Sequence, residues 1–76
     1  MATIMLGSYE PAKGWGKECF TYRDGAFNIH LFQKGKDRFA VQYGKQLDVD
    51  LSYSEACRKL GGAFMHSLAC EGAFDA

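Results

Sequence analysis

Cys19, Asn28 and His30 are the residue types of a thiol nucleophile, an orienting amide and a base. Their spacing suggests that they meet. Asp24-Gly25 separates two alternating runs, and Asp-Gly is a strong signal for a two-residue type I′ turn, because both turn positions need φ > 0. With that turn Arg23 faces Ala26, Tyr22 faces Phe27 and Phe20 faces Ile29. Cys19 then falls opposite His30, with Asn28 two residues along the same face. A flat sheet face offers neither a cleft nor oxyanion donors. The expectation there is a binding or structural surface, with no catalytic residue and no enzyme activity.

Other candidate chemistry is thinner. His66 and Cys70 stand four apart on one helical face, where they are placed to share an ion, but they point away from Cys19 and His30. No Cys-x-x-Cys pair accompanies them, so neither metal nor cofactor is expected. Gly14-Trp15-Gly16 and Gly61-Gly62 lack the spacing and the Lys-Ser/Thr ending of a phosphate loop. Asp48 and Asp50 share one face of an extended run and read as a solvated edge.

The elements that must position these residues are more legible. Residues 18–43 read as a β-meander. Side chains alternate with a period of two, so Phe20, Tyr22, Phe27, Ile29 and Leu31 share an apolar face, while Cys19, Thr21, Arg23, Asn28 and His30 share the other. Lys34-Gly35-Lys36 returns the chain, bringing Leu31 near Phe39, Ile29 near Val41 and Phe27 near Tyr43. Residues 1–17 read as a short strand (Thr3 to Leu6) followed by a Gly-rich loop, and 44–51 as an extended arm or fourth strand.

Residues 52–71 read as one amphipathic helix. Ser52-Tyr53-Ser54-Glu55 matches a capping box. Tyr53, Cys57, Leu60, Phe64 and Leu68 form a stripe at spacings of three and four, able to close over the apolar face of the sheet. Gly61-Gly62 interrupts this helix; the readings are a close approach of Gly61 to the sheet or a local kink. The expected fold is a single α+β domain over 1–76: a small antiparallel sheet of three to four strands with one C-terminal helix on one face. Tyr22, Ile29, Val41, Leu60 and Phe64 are expected to pack together.

Composition narrows the function classes. The chain has 76 residues, a hydrophobic fraction of 47% and zero formal net charge, so a small folded globule is expected. Charge is unevenly placed. Residues 1–45 carry seven Lys/Arg against four acids, and 46–76 carry two against five. That pattern disfavours both an acidic nucleic-acid mimic and a bulk nucleic-acid binder, which is basic throughout. Three cysteines, at 19, 57 and 70, make no disulfide framework. They fit a reducing cytoplasm, and Cys57 is expected to be buried. No segment reaches the length of a membrane span, and the first six residues lack the basic start of a signal peptide. The chain reads as a whole gene product, a monomer or homodimer.

Two surfaces carry residue types suited to binding. The outer sheet face collects Thr21, Arg23, Asn28, His30, Phe32, Arg38 and Gln42, with Lys34 and Lys36 in the adjoining turn. Phe32 breaks the polar pattern: it either stands exposed as a stacking or docking anchor, or tucks under the N-terminal strand or the 7–16 loop. Trp15, between two glycines, either presents an interface anchor or folds back on the core. The strand–strand–strand–helix order resembles the C-terminal part of a double-stranded-RNA-binding domain in layout. That family begins with a helix and opens its last helix with a basic cluster, and this chain does neither.

The function expected is therefore a non-catalytic inhibitor or regulator acting by protein–protein contact, of the kind that phages and mobile elements use to block a host defence complex (anti-CRISPR-like). Its contacts would be Trp15, Arg23, His30, Phe32, Lys34, Lys36 and Arg38. The alternative is a small module that binds RNA or single-stranded nucleic acid through the outer sheet face.

Overall fold

The computed structural model describes residues 2–23 and 27–75. Its elements are β1 (Ala2–Met5), β2 (Lys17–Tyr22), β3 (Ile29–Gln33), β4 (Phe39–Tyr43), β5 (Gln46–Leu51) and α1 (Tyr53–Cys70). The strands form one antiparallel sheet in the order β1-β5-β4-β3-β2. The α+β class holds, but the sheet has five strands rather than three or four. The N-terminal segment and the 44–51 arm both form strands, because β1 and β5 pair with each other, Thr3 opposite Asp48.

Strand order dictates what happens to the outer face. β1 and β2 lie at opposite edges, so the chain from 6 to 16 must cross the sheet. Four strand spacings are about 19 Å, within the reach of eleven extended residues. The connection runs over the face away from α1. There Leu6, Ala12 and Trp15 pack on buried Phe32, Ala40, Leu47 and Val49. The sheet is therefore covered on both sides, by the loop on one and by the helix on the other.

The meander's faces are as expected, but its register is shifted by two. Tyr22 pairs with Ile29 and Thr21 with His30. Ile29 pairs with Tyr43 and Leu31 with Val41. A slip of two keeps every side chain on its face, since the period is two. The Asp24-Gly25 turn lies outside the described residues. A β-bulge between Glu18 and Phe20 leaves Cys19 out of the pairing. The tight two-residue hairpin is instead Gly44-Lys45, between the paired residues Tyr43 and Gln46. Gly44 has φ 62°, as a type II′ turn requires at its first central position.

A second bulge redirects β5. The ladder slips between Phe39 and Val41, and Asp50 sits in the left-handed region at φ 57°. Leu47 and Val49, ahead of the slip, join the core beneath the loop, whereas the extra residue turns Leu51 to the core beneath α1 with Val41 and Ala56. Asp48 turns inward and is buried; only Asp50 stays exposed. The expected pair of solvated acids is thus split by one extra residue.

The capping box of α1 is present. The Ser52 hydroxyl accepts from the Glu55 N–H at 3.2 Å, and the Glu55 carboxylate accepts from the Ser52 N–H at 2.9 Å. The buried side of the helix is Ala56, Ala63 and Ser67, with Leu60, Phe64 and Leu68 half-buried beside them. Tyr53 and Cys57, expected in the core, are exposed. Small residues lie against the sheet, and the larger ones flank them. Phe64 covers β2, with ring centroids 4.9 Å from Tyr22 and 6.0 Å from Phe20. Gly61 makes no close approach to the sheet; a Cβ there meets nothing within 4 Å. No described helix is long and apolar enough to cross a membrane.

Candidate interaction surfaces

The outer sheet face is held shut by one side chain. Gln42 is fully buried. Its amide nitrogen donates to the Glu10 carbonyl at 2.9 Å and the Gly44 carbonyl at 3.1 Å, and its amide oxygen accepts from the Ala12 N–H at 2.9 Å. Both ends of the amide are used, and two of the three bonds fasten the loop to β4. Leu6 N–H to the Lys45 carbonyl at 2.7 Å fixes the start of the loop. Gly16 fixes its end. At φ 83°, a Cβ there would sit inside van der Waals contact with the Gln33 carbonyl, so only glycine lets the loop join β2.

His30 belongs to the same closed face and is fully buried. Its Nδ1 lies 3.1 Å from the Thr21 hydroxyl and 3.3 Å from Glu18 Oε1. The Thr21 hydroxyl also donates to Glu18. The bulge at Cys19 creates this cluster, since it places Glu18 and Thr21, three apart, on one face. The Thr21 hydroxyl, ahead of His30, holds the Glu18 carboxyl below its ordinary value. His30 Nε2, the atom a general base would present, is buried without a hydrogen-bond partner among the described residues. Cys19 is exposed in the bulge, its thiol 3.6 Å from the Lys17 carbonyl. The Cys19–His30 pair that the sequence suggested is not formed, because the two-residue register shift puts Thr21 opposite His30.

The expected contact residues therefore separate. His30 and Phe32, at 0% and 2% exposed, are interior packing and not a surface; of the two readings of Phe32, the structure takes the one beneath the loop. Trp15 is half-buried against the same core, with the Lys34 ammonium 5.0 Å above its ring. Lys34, Lys36 and Arg38 are exposed around the β3–β4 turn, where Arg38 pairs with Asp50. That guanidinium holds the Asp50 carboxyl below its ordinary value. Arg23 follows β2 at the opposite end of the sheet.

Sequence reasoning missed the surface on the other side. The first half of α1 leaves an apolar groove of about 200 Å³ over β3 and β4, lined by Leu31, Phe39, Tyr53, Ala56, Cys57 and Leu60. Every lining group is carbon or sulfur except the Tyr53 hydroxyl. Tyr53 is 68% exposed, held edge-on to Phe39 at 6.0 Å while its N–H donates to Asp37 at 3.0 Å. Asp37 lies between Lys36 and Arg38, so the groove opens beside the basic turn. The signal was in the helix stripe. Large residues read as core line an opening, because Ala56 and Ala63 occupy the centre of the contact.

His66 and Cys70 do not form an ion site with any third ligand. The His66 ring packs edge-on to Tyr43 at 5.6 Å, and no group of three metal-ligating side chains occurs among the described residues. No family model matches the chain, and neither a curated protein nor a solved structure is significantly similar to it.

Proposed function

We propose that this chain is a non-catalytic binding protein, an inhibitor or regulator that acts by protein–protein contact and belongs with the small proteins phages and mobile elements direct at host defence complexes. The groove of Leu31, Phe39, Tyr53, Ala56, Cys57 and Leu60 carries this reading. Apolar surface left open beside an exposed aromatic is the anatomy of an interface hot spot. Its neighbours select the partner. Asp37, between Lys36 and Arg38 in the β3–β4 turn, accepts from the Tyr53 N–H at the groove rim, and Arg38 is answered by Asp50, so Lys36 is the charge left to meet an acidic residue beside an aliphatic or aromatic anchor. Seating such an anchor removes apolar area from water at about 25 cal/mol per Å².

The contact set accordingly moves from the outer face to the groove and the β3–β4 turn, with Lys36 and Arg38 retained from the sequence reading. The nucleic-acid alternative would need its stacking surface elsewhere, since Phe32 lies under the loop. Two assays separate the readings. Affinity capture from the native host with wild-type protein should retain a partner that is lost with Tyr53→Ser and kept with Met65→Glu, a change at an exposed helix position outside the groove. A retardation assay at two salt concentrations should show no nucleic-acid shift; a salt-sensitive shift would favour the alternative.

A further inference from the structure

The second half of α1 borders a different depression, of about 330 Å³, against β4 and β5. Arg58, Gly62 and His66 follow at spacings of four, forming one row along the helix rim. Lys59 lies in the adjoining row, facing Asp48 and Gln46 on the sheet. Asp48 is 6% exposed and already engaged. It accepts from the Thr3 hydroxyl at 2.6 Å and the Gln46 amide at 3.4 Å, with the Lys59 ammonium 3.9 Å away. Lys59 thus answers the buried carboxylate. Arg58 has no ion pair among the described residues. With two cations against one carboxylate, the lining carries a surplus positive charge even when His66 is neutral.

Gly62 lies midway along this row. As at Gly61, a Cβ there meets nothing within 4 Å, so no packing demands a glycine in a helix interior that glycine weakens, but Gly62, unlike Gly61, lines the cleft. Its effect is local: the helix backbone is left bare between the Arg58 and His66 side chains, on the cleft side. We propose that this cleft binds the oxyanion head of a small molecule, phosphate or carboxylate, with the Arg58 fork as its main donor, Lys59 and His66 completing the site, and Gly62 leaving room for the ligand. A guanidinium matches the geometry of both oxyanions. The volume falls at the lower end of small-ligand sites, about 300–1,000 Å³, and suits a compact molecule.

The test is a titration of the isotope-labelled full chain, followed by amide NMR, with inorganic phosphate and separately with acetate, at constant ionic strength set by chloride. Saturable shifts centred on Arg58–His66 and Gln46–Asp48 are expected. Arg58→Gln should weaken binding about tenfold or more. Gly62→Ala should raise the melting temperature while also weakening binding, which separates loss of the site from loss of the fold. Saturation by phosphate alone, by acetate alone or by both supports the proposal and assigns the head group. Unsaturable shifts spread over all surface lysines, or an Arg58→Gln variant that binds like wild type, would overturn it.

Discussion

Replacing Gln42 with Leu should free the loop that covers the outer sheet face. The substitution keeps the bulk of the side chain but removes three hydrogen bonds, to Glu10, Gly44 and Ala12. The partners are backbone groups and cannot be removed with it, so their desolvation is no longer offset. Each bond contributes about 1 kcal/mol net, giving a loss of about 3 kcal/mol. A chain of 76 residues has a total stability of about 4–11 kcal/mol. The loss is therefore a large fraction of the whole and lowers the melting temperature by about 12–24 °C. Trp15 is the single tryptophan and rests on the same core, so its fluorescence during urea unfolding reports both stability and loop docking. A Gln42→Leu protein less than about 1 kcal/mol destabilised, with native Trp15 emission, would refute the claim that this amide closes the face.

Other substitutions test the remaining elements. Gly61→Ala, at an exposed position with open space around it, should stabilise α1 by about 1 kcal/mol; a lower melting temperature would contradict an undistorted helix there. Gly16→Ala should cost about 2 kcal/mol or more, from its positive φ and the clash with the Gln33 carbonyl, and near-neutral unfolding curves would count against the loop path. Glu18, Asp50 and Glu55 are all held below their ordinary values of 4.5, 3.8 and 4.5, chiefly by the Thr21 hydroxyl, the Arg38 guanidinium and the Ser52 backbone N–H. Lowered carboxyl values favour the fold when ionised, so this stability is present above the unfolded values and lost as pH falls through the folded ones, below about pH 4. Thermal melts across the acid range should show that limb, and Glu55→Gln should flatten it; an unaltered limb would argue against the capping box.

The parts of the fold legible in sequence are those governed by local chemistry or by a period. The faces of the meander survived a register error because a two-residue slip does not exchange them. Ser52 and Glu55 act within one helical turn and were readable as a pair. What was not readable depends on long-range geometry. The Phe32 and His30 burial follows from β1 and β2 lying at opposite edges, which forces an irregular loop across the face, and no periodicity announces a loop. The inward position of Asp48 follows from the Gly44-Lys45 hairpin, which sets it opposite Val41, and the extra residue at Asp50 then turns Leu51 to that same face. The helix was read by its large side chains, but contact with the sheet is made by Ala56, Ala63 and Ser67. That rotation alone converts Tyr53 and Cys57 from core residues into the rim of the groove, and so relocates the candidate site.

Three exposed free cysteines, Cys19, Cys57 and Cys70, place probes at the β2 edge, the groove rim and the helix end. A photo-crosslinker attached to each in turn, with the other two replaced by Ser, asks directly where a partner docks in native host extract. Docking at the groove should give a discrete adduct from Cys57, competed by unlabelled wild-type protein but not by Tyr53→Ser. A competed adduct from Cys19 in place of Cys57 would contradict it and return the docking surface to the far side of the sheet.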